Sequence, residues 1–316
     1  MEAALNAESK HLCNLSNYAK ADITQLISIL NETDDALSLC NCTDFIDCNY
    51  TVHPSFVKIL YAFLFWTVIV VSVLGNATVI WIVLRHARMR TVTNYYLLNL
   101  AIADASISIF NTSFAWRQNI NISWTFGEFY CHFNNTMGIT PIVASVFTMI
   151  VMSIDRYWAV VHPLRKRPGK RATVSVIASI WILAILIGLP AGLAGHVIML
   201  YTICVSVVQY ALPLCVLTYT YWEVGGVLTK KESVGDVRHY RSIAAKKKAS
   251  KMLALVVLLF MIVWLPYHAY FVLELTGCLN GVVYPETAMY LFLNIYLLGM
   301  SSTMFNPIIY YFMNKR

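Results

Sequence analysis

Residues 59–84 read ILYAFLFWTVIVVSVLGNATVIWIVL and contain no Asp, Glu, Lys or Arg. A helix rises about 1.5 Å per residue, so about 20 apolar residues are enough to cross a hydrocarbon core of about 30 Å. This stretch is therefore long enough to cross a bilayer once as a helix. It predicts that the chain is inserted in a membrane.

Uncharged runs of similar length recur along the chain. The run at 91–116 is interrupted only by Asp104, whereas the run at 172–222 is about twice as long as one span. Pro190 lies near the middle of the long run, where we expect one helix to end and another to begin. Counting the long run as two predicts seven spans, at about 59–84, 94–116, 129–156, 173–194, 199–224, 248–274 and 287–313. The predicted fold is an all-α membrane protein, a seven-transmembrane helix bundle at residues 56–316.

The composition excludes an ordinary soluble fold. Hydrophobic residues make up 59% of the chain and charged residues only 12%, compared with about 25% charged residues in an average soluble domain. The net charge of +7 would suit a nucleic-acid-binding protein. However, all Lys and Arg except Lys10, Lys20, Lys58 and Arg117 lie on one side of the predicted membrane, which is 19 of the 23. This bias marks the cytoplasmic side, so we expect a multi-pass protein of the cell membrane with its N-terminus outside and no nucleic-acid partner.

Residues 1–55 are predicted to form an extracellular tail that is largely disordered. The tail carries eight acidic residues within its first 53 positions. These acids either attract cationic ligands or simply keep the segment solvated, and both alternatives are open. Four N-x-Ser/Thr triplets in the tail predict glycosylation, and they begin at Asn14, Asn31, Asn41 and Asn49.

Polar residues inside the predicted spans point to a function. Five of them lie at similar depth, namely Asn76, Asp104, Ser145, Ser302 and Asn306. A charged side chain that faces lipid at mid-membrane costs about 2.5–3.5 kcal/mol, so Asp104 is expected to face the bundle interior. The group either holds a sodium ion beside Asp104 or forms a hydrogen-bond network between helices without an ion. No other metal or cofactor is expected.

Three motifs lie near the ends and kinks of the predicted helices. Asp155-Arg156-Tyr157 ends span three, and adjacent opposite charges there can hold the arginine until a competing partner arrives. Pro266, in Trp264-Leu265-Pro266, predicts a kink in span six. The stretch Asn306-Pro307-Ile308-Ile309-Tyr310 predicts another kink in span seven, with a phenol one turn away.

Together these motifs resemble those of the rhodopsin-like (class A) G-protein-coupled receptors. The resemblance covers residues 56–316 and includes Gly75-Asn76, Trp181 and Pro213. Longer strings, such as RMRTVTNYYLLNLAIADAS from Arg88 and MSSTMFNPIIYYFMNKR from Met300, resemble the tachykinin (neurokinin) receptors. Within that family they are most similar to the invertebrate branch, which includes receptors for natalisin-type peptides.

The resemblance implies a receptor for an amidated tachykinin-like neuropeptide that activates a heterotrimeric G protein and mobilises calcium. The implied peptide contacts, at the outer helix ends, are Asn111, Asn135, His268, Phe271 and Phe292. His268 also has a simpler interpretation, as a core histidine with its hydrogen bonds satisfied. The residues implied to take part in activation and G-protein coupling are Asp155, Arg156, Tyr157, Tyr221, Phe260, Trp264, Pro266, Pro307 and Tyr310.

The chain also departs from the family pattern. Family members carry a second extracellular loop of twenty or more residues with a cysteine that bridges to the position of Cys131. Here only AGLAGHVIML lies between Pro190 and Tyr201, and it contains no cysteine. Cys131 then either stays free, pairs with a tail cysteine or Cys278, or belongs to an incomplete gene product. The chain also stops at Arg316, so the family's C-terminal tail is expected to be missing.

These departures define the alternative to a signalling receptor. That alternative is a non-signalling or retained receptor variant that lacks the loop and acts as a decoy or as a partner of another receptor. An enzyme is not expected, because the eight His show no metal-binding spacing such as H-E-x-x-H.

Overall fold

The computed structural model describes residues 54–121, 125–162, 165, 168–193, 199–231, 237–275 and 285–313. The four predicted glycosylation positions in the tail lie outside these residues. Within the described part of the chain, seven helices are long and apolar enough to cross a membrane. The prediction of a seven-helix bundle is therefore confirmed.

The first four membrane helices are α1 (Ser55–Arg85), α2, α3 (Glu128–Val161) and α4 (Lys170–Leu193). Helix α2 runs from Val92–Ile107 through a π-helical turn at Ser108–Thr112 into Ser113–Asn121. A short 3₁₀ turn, Ala87–Met89, connects α1 to α2. Thr91 caps α2, because its Oγ1 accepts a hydrogen bond of 3.3 Å from the backbone N–H of Asn94.

The last three membrane helices are α5, α6 (Val237–Leu275) and α7 (Pro285–Met313). Helix α5 also contains a π-helical turn, and runs through Met199–Ser206, Val207–Ala211 and Leu212–Lys231. Helix α6 begins at Val237 rather than at the predicted 248, since the alanines and lysines before the hydrophobic run favour helix and extend it into water.

Pro190 lies inside α4 near its end, and the helix ends at Leu193, one residue before the predicted end of the fourth span at 194. Proline removes only its own N–H as a donor, so one hydrogen bond of the helix is lost. The helix continues for one more turn to Leu193. In that turn the backbone carbonyl of Gly192 lies 2.6 Å from Nδ1 of His132 on α3, so a side chain replaces a helical partner of this carbonyl.

Helix α3 lies at the centre of the bundle and packs against α2, α4, α5 and α6, whereas α1 packs against α2 and α7. Large apolar side chains such as Phe63 and Leu186 are exposed on the outside of the bundle. Polar side chains such as Asn76 and Thr148 are fully buried inside it. This distribution suits a bundle whose surroundings are lipid, because polar groups find partners only in the interior.

Candidate ligand-binding and signalling sites

Asp104 lies at the junction of α2, α3 and α7 and is almost fully buried. Both of its carboxylate oxygens accept hydrogen bonds. The amide of Asn306 on α7 donates to Oδ2 at 2.6 Å, and the hydroxyl of Ser145 on α3 donates to Oδ1 at 3.2 Å. Two of the predicted neighbours therefore contact the carboxylate directly.

The other two predicted neighbours of Asp104 lie further away. Ser302 and Asp104 line the same small cavity of about 10 Å³, which has room for about one water molecule. The Ser302 hydroxyl accepts a hydrogen bond of 3.1 Å from the indole N–H of Trp264. Asn76 instead joins α1 to α7, since its amide donates to the backbone carbonyls of Ser72 and Thr303, each at 2.9 Å.

Arg156 near the C-terminal end of α3 is buried, and its guanidinium donates hydrogen bonds to two side chains. Its Nη2 donates to Oδ2 of Asp155 at 2.7 Å. The same nitrogen donates to the hydroxyl of Thr93 on α2. The guanidinium is thus turned toward α2 in this structure, although its Nε has no partner. Tyr157, the third residue of the motif, packs edge-on against His162 and near Tyr219 on α5.

Tyr221 and Tyr310 pack against the apolar cluster in the half of the bundle that contains Arg156. Both hydroxyls are buried, and neither is within close hydrogen-bonding geometry of a partner among the described residues. A buried polar atom without a partner costs about 1–3 kcal/mol. The two phenols are therefore free to gain partners in another arrangement of the helices.

Trp264 connects the middle of α6 to α7. Its ring lies 5.7 Å from that of Phe260, and Gly299 on α7 packs against the indole. Pro266 and Pro307 lie inside α6 and α7, as the motifs predict. A methyl group at Gly75 would come within 3.0 Å of Pro307, so glycine allows α1 to approach α7 closely here.

The predicted peptide contacts on α6 and α7 belong to one series of aromatic rings. Tyr267 lies 5.7 Å from His268 and 4.8 Å from Phe271, measured between ring centroids. Phe271 lies 6.3 Å from Phe292, whose ring stacks on Tyr296 at 6.0 Å. The series therefore runs from the buried His268 across to α7.

The series ends at a buried polar cluster that joins α7, α2 and α3. The Tyr296 hydroxyl donates to Oδ1 of Asn111 at 3.0 Å. Nδ2 of Asn111 donates to the backbone carbonyl of Asn134 at 3.1 Å. A methyl group at Gly138 would come within 3.0 Å of the same amide nitrogen, so glycine makes room for Asn111. Asn135, the predicted contact on α3, is half-buried beside this cluster.

Sequence reasoning missed three residues of this region, namely Tyr267, Tyr296 and Asn134. Tyr267 and Tyr296 lie in helices whose membrane segments are apolar nearly all round, so hydrophobic periodicity does not indicate which side faces the interior. The paired amides Asn134-Asn135 were visible in the sequence. Only the rotation of α3 determines that Asn134 is buried and Asn135 more accessible.

Cys131 is buried in the first turn of α3 and is disulfide-bonded in this structure. Its partner is not among the described residues, whose other two cysteines, Cys204 and Cys215, are free. Within the described ranges no three His, Cys, Asp or Glu side chains are placed to hold a metal ion together.

The buried Asp104, the hydrogen-bonded Arg156 and the prolines inside α6 and α7 agree with the comparison with known families. The sequence model described as "7 transmembrane receptor (rhodopsin family)" matches residues 75–199 and 194–310. The substance-P receptor of Homo sapiens is 39% identical over 307 residues, which cover 90% of this chain and 75% of the human receptor. The chain belongs to the rhodopsin family of receptors and is of the tachykinin type.

Other relatives support the same assignment. The substance-P receptor of Meriones unguiculatus is 39% identical over 298 residues, covering 87% of this receptor and 72% of its relative. The neuromedin-K receptor of Rattus norvegicus is 40% identical over 290 residues, which cover 85% of this chain and 64% of the rat receptor. These relatives are receptors and not enzymes. The two segments of the family match overlap at residues 194–199. This overlap lies between the end of α4 and the beginning of α5 in this tachykinin-type receptor.

Proposed function

We propose that this receptor binds an amidated tachykinin-like neuropeptide between the outer ends of α2, α3, α6 and α7. The observation that carries the proposal is the ring series from His268 to Tyr296, which ends on Asn111. Aromatic walls with a few convergent amide groups suit a peptide that ends in apolar side chains and a carboxamide. The relatives named for substance P and neuromedin K support this class of ligand.

The cytoplasmic end supports the second half of the proposal, which is activation of a calcium-mobilising G protein. Arg156 is held by Asp155 and Thr93, and the hydroxyls of Tyr221 and Tyr310 have no partners. In the active state, Arg156 would break its hydrogen bond with Thr93 and turn toward the interior of the bundle, where it would be a polar neighbour of these phenols. The same change would open a site for the G protein between α3 and α6. Lys and Arg at the end of α5 and in the first part of α6 add positive potential beside that site.

The experiment is a calcium assay in cells that display an N-terminally tagged receptor, with surface label measured in the same wells. Amidated tachykinin-related and natalisin-type peptides are tested in parallel, each with its free-acid form as a control. We expect a saturable response to one amidated class. A response to free acids alone, or none at normal surface label, would contradict the proposal.

A matched pair of variants locates the peptide site. Phe292→Ala removes a ring from the series and is expected to lower peptide potency at least about tenfold, in line with the loss of an aromatic contact. Phe63→Ala removes a ring that is 69% exposed on α1, on the lipid side, and is expected to leave potency unchanged. Equal effects of the two changes would place the peptide elsewhere.

The short connection between α4 and α5 favours the second candidate function, a receptor variant that does not signal. Helix α4 ends at Leu193 and α5 begins at Met199, so only residues 194–198 connect them. A decoy would display normal surface label and bind peptide without a calcium response. Binding of labelled peptide in the same cells therefore distinguishes the decoy from the signalling receptor.

We further propose that Asp104 holds a sodium ion in the ligand-free receptor. The carboxylate has Ser145 as a direct neighbour, and Ser302 lines the adjoining cavity. Oxygen ligands of this kind suit a hard cation. Replacing NaCl with KCl should raise agonist affinity in the wild type and leave Asp104→Asn unchanged. Equal sodium dependence in both would show that the network contains no ion.

A further inference from the structure

Glu274 is an acidic side chain that the proposed function does not use. It lies in the last turn of α6, one residue before the helix ends at Leu275, and it is exposed. It is the only Asp or Glu in the sequence of α6. Two of the proposed peptide contacts, His268 and Phe271, lie within the two turns before it. The carboxylate therefore belongs to the rim of the proposed peptide site.

The position of Glu274 along α6 places it on the same face as rings of the proposed site. Residues three, four and seven positions apart share one face of a helix. These are the distances back to Phe271, Tyr270 and Tyr267. The charge of Glu274 acts on the hydroxyls of both tyrosines. Because helical side chains lean toward the N-terminus of their helix, the carboxylate lies over the turn that carries the rings.

Three aromatic side chains, which we call the rim rings, lie together next to this carboxylate. Tyr270 lies 5.8 Å from Phe271 and 5.8 Å from Phe292 of α7, measured between ring centroids. All three are half-buried, so part of each ring is accessible to a ligand. The face of an aromatic ring attracts a cation, as a carboxylate does. Glu274 and the rim rings together therefore suit a positive charge.

The charge of Glu274 is not balanced by a neighbour that the structure describes. Within the described ranges, no Lys, Arg or His forms an ion pair with it. The adjoining residues 275–286 contain no Lys, Arg or His. The predicted outer side as a whole has eleven Asp and Glu but only four Lys and Arg. We therefore expect a cation at Glu274 to come from the ligand, and the negative potential of the outer side favours its approach.

The kind of cation follows from the side chains present. A metal ion is a poor fit, because no three His, Cys, Asp or Glu side chains of the described ranges lie together. A guanidinium fits better than an ammonium, since it is planar, stacks on aromatic rings and donates two parallel hydrogen bonds to one carboxylate. An arginine side chain of a peptide has all of these properties.

We propose that Glu274 and the rim rings form a subsite that binds a cationic side chain of the peptide, arginine in preference to lysine. The carboxylate accepts hydrogen bonds from the guanidinium, and the rings contact its flat face. Glu274 then selects, among amidated peptides, those that carry a basic residue within reach of the end of α6. The identity of the peptide rests on the proposed function, whereas the subsite is also tested with small probes.

The first experiment measures binding of two small probes to the purified full chain by surface plasmon resonance. The probes are N-acetyl-phenylalanyl-arginine amide and its citrulline analogue, in which a neutral urea group of nearly the same shape replaces the guanidinium. We expect the wild type to bind the arginine probe at least about threefold more tightly, as for an accessible ion pair assisted by a ring. Glu274→Gln keeps the size of the side chain and should bind both probes equally. An unchanged preference in Glu274→Gln, or no preference in the wild type, would overturn the subsite.

The control is Glu286→Gln, near the beginning of α7. It removes the same charge from the same side of the membrane and so lowers the general negative potential. It should keep the preference for the arginine probe. Equal losses in Glu274→Gln and Glu286→Gln would assign the preference to the overall charge and overturn the subsite. A lysine probe should bind the wild type more weakly than the arginine probe, and equal binding would contradict the preference for a guanidinium.

The second experiment uses the calcium assay and the most potent peptide of the amidated panel. Each Arg and Lys of this peptide is replaced in turn by citrulline. We expect one replacement to lower potency at the wild type at least about threefold and to have no effect at Glu274→Gln, at equal surface label. Equal effects of every replacement on both receptors, or a most potent peptide without Arg or Lys, would overturn the role of Glu274 in peptide selection. If no peptide activates the wild type, the proposed function fails, and the small probes still decide whether the subsite exists.

Discussion

Asparagine side chains make many of the polar contacts that join the helices of this receptor. Asn76 joins α1 to α7, and Asn306 joins α7 to the carboxylate of Asp104 on α2. Asn99 joins α2 to Thr148 on α3 and to Trp181 on α4. Hydrogen bonds between membrane helices contribute about 0.6–2 kcal/mol each. Several of them together make the relative positions of the helices specific.

Thr93 is a single residue whose change tests how Arg156 is held. It accepts a hydrogen bond from Arg156, and this is the contact that turns the guanidinium toward α2. Thr93→Val has nearly the same shape but no acceptor, so Arg156 keeps only Asp155. We expect basal calcium signalling per surface receptor to rise at least about twofold, which corresponds to about 0.4 kcal/mol.

The matched control for this prediction is Thr93→Ser, which retains the hydroxyl. It should keep basal signalling at the wild-type level. Equal basal signalling in Thr93→Val and the wild type, at equal surface label, would show that the contact with Thr93 does not favour the inactive state.

At the scale of elements, the contact between α3 and α4 depends on two glycines of α4. A methyl group at Gly188 would collide with the Thr140 hydroxyl and lie 3.2 Å from the backbone oxygen of Thr136. At Gly192 it would collide with the Thr136 hydroxyl and lie 2.9 Å from the backbone oxygen of His132. Close helix contacts through small residues are common in membranes, because packing replaces the hydrophobic effect there.

Gly188→Ala is expected to push α4 away from α3 and lower the free energy of unfolding by about 1–3 kcal/mol, the usual cost of overpacking. Thermal unfolding of the purified receptor measures this change. Adding Thr140→Ala removes the side-chain oxygen that the new methyl group meets, so the double variant should recover part of the loss.

The control for this contact is Gly226→Ala on α5. A methyl group there meets nothing within 4 Å, so packing predicts no loss of stability. If Gly188→Ala and Gly226→Ala unfold at the same temperature, the glycines of α4 are not required for its contact with α3.

At the scale of the whole molecule, the distribution of charge predicts the orientation in the membrane. The basic residues follow the first, third and fifth spans and lie near the end of the seventh. The four tail triplets lie on the opposite side of the predicted membrane. The same triplet at Asn111 and Asn134 is buried in the bundle, where no glycan can be attached.

Glycosidase treatment of the expressed receptor tests this orientation. Treatment should increase the gel mobility of the wild type, because the tail is predicted to enter the lumen and carry glycans. Changing Asn14, Asn31, Asn41 and Asn49 together to Gln should abolish the shift. A shift that persists would assign glycosylation to another position, whereas no shift in the wild type would argue against an outer tail.

The sequence alone determined the number of membrane helices and their positions to within a few residues at most ends. The exclusion of charge from a hydrocarbon core is a property of each segment by itself, so it can be read without knowing the neighbours. Pro190 marks the neighbourhood of a helix end, since α4 ends three residues after it at Leu193, next to the predicted 194. One lost hydrogen bond near a helix end is tolerated when other contacts hold the segment.

Only the tertiary structure decided which polar residues meet. Asn76 and Asn306 were both predicted beside Asp104, and only Asn306 contacts it, across about 200 positions of sequence. Tyr296 was not predicted at all. Helices that are apolar all round carry no periodic signal of which side faces inward. Their rotation is decided by packing against the other helices, which no single segment of sequence contains.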